Sequence, residues 1–190
     1  MEKLKVKNLS GTKKIILGID PGVARMGYGA LVQEVGKIKA LFYVTLTTPA
    51  HTPLEKRLVE IYEGLGQILD KVKPSAVAVE ELFFSKNAKT AIAVGQARGV
   101  ALLACGTRGV PVFEYKPNEV KQAVAGSGAA DKEQVQKMVK LLLGLTEVPK
   151  PDDTADALAI AITHAQCAGT QLSEALRTLA KKGTAAFPKR

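Results

Sequence analysis

The sequence predicts an α/β fold: a mixed five-stranded sheet with helices on both faces, in the order βββαβαβα. Three observations predict it. Short apolar runs ended by turn residues alternate with longer stretches whose apolar residues step by three and four. The first three runs follow one another closely, as in an antiparallel meander. The later runs are separated by helical stretches, which makes the sheet mixed and lays helices on it.

Each element has its own signal. Lys13-Lys14-Ile15-Ile16-Leu17-Gly18-Ile19 is an apolar strand stopped by the turn residues Asp20-Pro21-Gly22. Tyr28 to Val35 and Ile38 to Thr47 read as two more strands about a tight turn at Gly36-Lys37. Leu54, Leu58, Ile61, Leu65, Ile68, Leu69 and Val72 form the apolar stripe of a helix that stops at Lys73-Pro74. Ala76-Val77-Ala78-Val79-Glu80 is a fourth, buried strand. Ala88 to Ala104 is an alanine-rich helix. Its Gly95 and Gly99, four apart, allow another element to approach closely, in a dimer or in helix–sheet packing. Val110 to Tyr115 is the fifth strand. Val135, Met138, Val139, Leu142 and Leu143 mark a further helix. Asp153 to His164 is the last, with Ala157, Leu158, Ile160, Ala161 and Ile162 as its apolar body.

Composition narrows the function. A chain of 190 residues and 20.1 kDa fits one domain, and 46% hydrophobic with 24% charged residues is globular rather than disordered. Twenty-seven basic against 18 acidic residues give a net charge of +9, which suits nucleic acid or another anionic partner. That excess sits at the ends. Residues 1–14 carry Lys3, Lys5, Lys7, Lys13 and Lys14 against Glu2, and residues 177–190 carry Arg177, Lys181, Lys182, Lys189 and Arg190 with no acid. Residues 15–176 are formally neutral. We expect basic tails at 1–14 and 169–190 around one domain at 15–168. Cys105 and Cys167 belong to no CxxC or Cys/His cluster, so neither a zinc site nor a disulfide framework is expected. The longest apolar stretch, Val100 to Cys105, is far short of the ~20 residues of a membrane span. No apolar signal region precedes Asp20, and a reducing cytoplasm is expected.

Four carboxylates sit where packing alone would not put them. Asp20 follows one buried strand and Glu80 ends another, and sites in open α/β sheets form at the carboxyl ends of strands. Asp153 and Asp156 open an otherwise apolar helix three residues apart, a spacing that shares one face. Each has an ordinary reading: a turn for Asp20, a helix cap at Asp152 or Asp153, an exposed strand end for Glu80. Together they repel and require a counter-charge. Carboxylate oxygens suit Mg²⁺ or Mn²⁺, and two such ions about 4 Å apart assist phosphodiester cleavage. A basic chain with this cluster reads as a nuclease. Other catalytic patterns are missing: Gly18-Ile19-Asp20-Pro21-Gly22 is neither GxGxxG nor a P-loop, and there is no GxSxG. His51 and His164 have no Ser or Cys partner in sequence and are read as structural.

These residues resemble a family. Ile16-Leu17-Gly18-Ile19-Asp20-Pro21-Gly22 with Gly27-Tyr28-Gly29, Ala78-Val79-Glu80-Glu81-Leu82-Phe83-Phe84 with Lys86-Asn87, and Gly95-Gln96-Ala97-Arg98-Gly99 are similar to motifs of RuvC-type Holliday junction resolvases, in the ribonuclease H-like superfamily. Val112-Phe113-Glu114-Tyr115, Val120-Lys121-Gln122 and Asp153-Thr154-Ala155-Asp156-Ala157-Leu158-Ala159-Ile160-Ala161 with Thr163-His164 continue the likeness over roughly Ile15 to His164. Met26 stands where many relatives have Thr.

The resemblance implies a ribonuclease H-like fold and a homodimer that resolves four-way DNA junctions by paired nicks in recombination and repair. It implies two Mg²⁺ per subunit, replaceable by Mn²⁺, on Asp20, Glu80, Asp153 and Asp156, with Asp153 the least fixed ligand because some relatives have His there. It implies DNA contacts from Lys121 and Lys132; by their place in the sequence, Lys86, Lys89 and Arg98 extend the phosphate track, and Phe83 and Phe84 either stack on unpaired bases or pack in the core or a dimer. It further implies a RuvA–RuvB branch-migration partner and a bacterial cytoplasmic setting, with no membrane. Neighbouring strand residues face opposite ways, which favours Glu80 over Glu81. Three rivals are weaker. An actin-like sugar kinase needs a second nucleotide-binding domain that 190 residues do not hold. A nuclease processing ribosomal RNA fits the Glu80–Phe83 and Asp153–Asp156 segments poorly. A non-catalytic junction binder would have lost one of the four acids.

Overall fold

The computed structural model describes residues 13–34, 37–82 and 88–167, without the side chains of 88–90. Its strands are β1 (Lys14–Asp20), β2 (Arg25–Glu34), β3 (Lys37–Thr47), β4 (Ala76–Glu80) and β5 (Val112–Tyr115). Its helices are α1 (Leu54–Val72), α2 (Ala88–Gly106), α3 (Pro117–Ala125), α4 (Lys132–Leu143) and α5 (residues 152–167). The strands lie in the order β3-β2-β1-β4-β5. The meander pairs antiparallel, while β4 runs parallel to β1 and β5 parallel to β4. The sheet is therefore mixed, as expected.

The pleat of β1 divides the core in two. Leu17 and Ile19 point to the side packed by α1 and α2, together with Met26, Tyr28, Ala30, Val77 and Val79. Ile16 and Ala78 point to the other side, where Val120, Val124, Val135, Val139, Leu158 and Ile162 of α3, α4 and α5 close over them. With a side-chain period of two, Gly18 and Asp20 share the Ile16 face and Glu80 shares the Ala78 face. The last residues of β1 and β4 thus look toward α3, α4 and α5.

Glycines set how close α5 comes. A Cβ on Gly18 would overlap the Ala157 carbonyl oxygen and lie 2.8 Å from the Ala161 amide. One on Gly29, the cross-strand partner of Gly18, would lie 2.7 Å from the Leu158 amide. One on Gly27 would overlap the Asp153 carbonyl. The backbone of α5 therefore rests directly on β1 and β2, and its first turn is seated beside the end of β1.

Several boundaries differ from expectation for physical reasons. β2 starts at Arg25, not Tyr28, because its pairing with β3 runs out to Arg25 opposite Thr47. β5 is shorter than expected, since Pro111 has no amide to donate and only its carbonyl engages Val77. Leu54 is exposed at the start of α1, so the buried stripe begins at Ile61. The helix α3 was not expected. It has Pro117 in its first turn, Glu119 accepting from the Lys116 amide at 2.8 Å and Gly126 as a left-handed cap, but it buries only Val120 and Val124. The expected turn at Gly36 and most of both tails lie outside the described residues, although Lys14 belongs to β1 and Lys13 pairs with Glu34 at 2.8 Å. No helix among the described residues is long and apolar enough to cross a membrane.

Candidate active site

Asp20, Glu80 and Asp156 line one open cleft of about 200 Å³, together with Lys121, Lys132, Pro117, Val120, Val135, Ala159 and Ile160. The sheet supplies two of the acids from adjacent strand ends, since Ile19 pairs with Val79 one step earlier. The third comes from the turn of α5 that the glycines admit. Two lysines arrive from α3 and α4. Residues far apart in sequence are thus brought to one wall of the sheet.

Asp153 stands beside the cleft without lining it. Its Oδ2 lies 3.2 Å from Arg25 Nε, an ion pair without hydrogen-bond geometry, and this oxygen is buried with no hydrogen-bond partner. Asp156 Oδ2 is 3.1 Å from Lys132 Nζ, and the same ammonium is 3.4 Å from Asp152 Oδ2.

The electrostatics follow from burial. Asp20 is pushed up to about 8, first by desolvation and then by the negative charges of Asp156, Glu80 and Asp153, against a smaller pull from Lys132. Burial, then Asp156, raises the Glu80 carboxyl, with Lys121 opposing. Burial raises Asp156 as well, and Lys132 offsets part of this. Burial disfavours the Lys132 ammonium, but Asp156 and Asp152 outweigh it and raise its affinity for the proton. The acids are crowded out of water and short of positive charge, a pattern typical of functional carboxylates.

A divalent cation fits this donor set. The donors are all hard oxygens, burial and the negative charges of its neighbours make Asp20 a poor carboxylate without a further cation, and Asp153 Oδ2 is buried with no hydrogen-bond partner beside its ion pair to Arg25. Among the described residues no group of three or more acid, histidine or cysteine side chains is gathered tightly enough to enclose a cation. The acids are spread around the cleft, each of the α5 pair beside a cation of the protein itself.

The other expected site residues fall differently. Arg98 on α2 turns inward to an ion pair with Glu114 of β5 and takes no part in the cleft. Phe83, Phe84 and Lys86 lie outside the described residues, as does the side chain of Lys89. Glu81 is exposed, its amide bonded to the Tyr115 carbonyl at 2.8 Å, and it does not line the cleft. His164 is buried, shares a 2.8 Å hydrogen bond between its Nδ1 and Tyr115 Oη, and packs on Phe113 at 4.4 Å between ring centres. It is structural. Sequence reasoning missed Arg25, and read Asp152 only as a helix cap, not as a partner of Lys132. The i−2 spacing of Arg25 from Gly27 was the available signal, because it places Arg25 on the strand face that carries α5.

A mixed five-stranded sheet with a helix laid across it, its first turn beside two strand-end acids, is the architecture of the ribonuclease H-like class. The sequence profile of "Crossover junction endodeoxyribonuclease RuvC" matches residues 16–164. A protein of that name from Chloroflexus aggregans is 58% identical over 154 residues, which are 81% of this chain and 94% of the relative. The structure of RuvC from Thermus thermophilus superposes with a TM-score of 0.77 at 42% identity, over 83% of this chain and 96% of that one. The same protein in complex with a Holliday junction substrate gives 0.76 at 43% identity, over 80% and 93%. The chain belongs to the RuvC family of crossover junction endodeoxyribonucleases.

Proposed function

We propose that this chain resolves four-way DNA junctions by hydrolysing a phosphodiester in each of two opposed strands. The observation that carries the reading is one cleft where Asp20, Glu80 and Asp156 meet Lys121 and Lys132, on a chain of this family. Lys121 and Lys132 are placed to draw a phosphate toward the acids and to hold it there by charge. Asp20 and Glu80, fixed on strand ends, supply rigid donors, while Asp156 and Asp153 approach on α5. Together these four would hold two Mg²⁺, or Mn²⁺ in their place, which would supply Lewis-acid activation of water and stabilisation of the departing 3′-oxygen. Val120, Val135 and Ile160 make part of the cleft lining apolar. The products are 5′-phosphate and 3′-hydroxyl ends. The basic tails would add salt-sensitive grip on DNA, and resemblance alone supports a RuvA–RuvB partner and a bacterial cytoplasmic setting.

The test is cleavage of a synthetic four-way junction beside linear duplex in Mg²⁺. Paired, symmetric nicks confined to the junction are expected. Binding without cutting, in Mg²⁺ and Mn²⁺ alike, would rule out the enzymatic reading.

A two-fold junction calls for a two-fold protein, and a homodimer meets that need. The outer face of α2 supports it. Ile92 and Leu103 are 63% and 57% exposed, and the space over Gly99 is open. Leu103→Glu is expected to shift the chain to a monomer in sedimentation and to replace paired cutting by single, uncoupled nicks. A dimer undisturbed by that change would place the interface elsewhere.

A further inference from the structure

On the reading above, the acids of α5 hold a divalent cation. We propose that Arg25 is a positioning residue for that function: it is a place-holder cation that keeps Asp153 aside, lowers the affinity of the site for metal, and gives way when metal binds.

The placement begins in the strand. Arg25, Gly27 and Gly29 share the face of β2 on which α5 lies. Gly27, lacking a Cβ, lets the Asp153 backbone sit directly on the strand, which brings the Asp153 side chain to Arg25 two residues earlier. The two side chains are far apart in sequence and meet only because α5 crosses the sheet at this glycine.

The pair is built to be exchanged. Arg25 Nε is 3.2 Å from Asp153 Oδ2, close enough for strong attraction but outside hydrogen-bond geometry. Asp153 is 19% exposed and Arg25 is 56% exposed. The acid is held while the base remains free to swing into solvent or onto a phosphate. A guanidinium is always charged, so it competes with a metal ion for this carboxylate at every working pH. Lys132 stands in the same relation to Asp156, and the further contact to Asp152 gives that ammonium somewhere to move. Arg25 differs in having no second acid beside it among the described residues, so its release leaves an uncompensated cation at the edge of the cleft, where a backbone phosphate would pass.

The test is Mn²⁺ titration by calorimetry on the full chain without DNA, for wild type, Arg25→Ala, Arg25→Lys, Asp153→Asn and Arg25→Ala with Asp153→Asn. Removing the cation should tighten Mn²⁺ binding by roughly three- to tenfold, the scale of losing one partly exposed charge near a divalent ion. Arg25→Lys should stay near wild type. The gain should disappear in the Asp153→Asn background, because the arginine acts through that carboxylate. With junction present, Arg25→Ala should raise KM, leave kcat at saturating Mn²⁺ within about twofold, and flatten the salt dependence by about one phosphate contact. A general structural defect would not tighten metal binding. Unchanged or weaker Mn²⁺ binding by Arg25→Ala, with Asp153→Asn still weakening it, would overturn the place-holder role alone. Asp156→Asn is titrated alongside them: if Asp153→Asn and Asp156→Asn both leave Mn²⁺ binding unchanged, the carboxylate site itself is misassigned.

Discussion

Asp20→Asn is expected to abolish cleavage of a four-way junction, to leave junction binding in place, and to raise the metal-free melting temperature at pH 8 by roughly 6–12 °C, equivalent to about 3 kcal/mol in a domain of this size. Asp20 ends a buried strand against three other acids, and its carboxyl is pushed from 3.8 up to about 8. The folded chain therefore binds this proton more tightly than the unfolded chain does. By linkage, the metal-free protein is most stable below about pH 4 with respect to this group and loses stability as pH rises toward 8. Each tenfold mismatch in proton affinity is worth about 1.4 kcal/mol, so about 3 kcal/mol is a moderate share of the displacement. Asn has no proton to give up and removes that dependence. Calorimetric melts at pH 5 and pH 8 check it: the variant should gain most at pH 8 and little at pH 5. Added Mg²⁺ should reverse the order, since wild type gains binding free energy that the variant lacks. A variant that melts below wild type at pH 8, or one that still cuts, would show that Asp20 is not the electrostatic centre of the site.

The acids were legible in the sequence because their reasons are local. A carboxylate directly after an apolar run, as at Asp20 and Glu80, stands out without any knowledge of the neighbouring strand. The i, i+3 spacing of Asp153 and Asp156 carries its own geometry. The cations were harder to read. Lys132 could be matched by resemblance, but that it grips Asp156 and Asp152 follows only from α4 packing beside α5. Arg25 and Asp153 meet through a crossing that no local periodicity announces. Arg98 shows the same limit: nothing local in its helix announces that its guanidinium meets Glu114 on the fifth strand. The helix α3 escaped because nine residues with two buried valines give too little periodicity, although Pro117, Glu119 and Gly126 are its stop and start signals in plain sight. Local chemistry locates the acids, and tertiary crossing decides which cation each one meets.

Gly18→Ala should be among the most damaging single-methyl changes at the described glycines, costing about 3 kcal/mol or more through overpacking. Its new Cβ would overlap the Ala157 carbonyl and stand 2.8 Å from the Ala161 amide, both backbone atoms that no rotamer change can move away. Relief requires α5 to lift from β1. That movement carries Asp156 away from Asp20 and Glu80, so cleavage should fall even at temperatures where the variant stays folded; catalysis is sensitive to displacements of about 1 Å. Gly95→Ala is the matched control. It also lies inside an element, but among the described residues its Cβ would meet the Leu82 side chain alone, at 3.8 Å, an ordinary contact. In a helix interior that change should stabilise by about 0.5–1 kcal/mol. Thermal melts of both variants, with junction cleavage measured 15 °C below each midpoint (a margin of about 4 kcal/mol or more at this size), separate the two effects. A Gly18→Ala chain that melts and cuts like wild type would mean that α5 does not rest on the strand, and that the two aspartates reach the cleft by some other path.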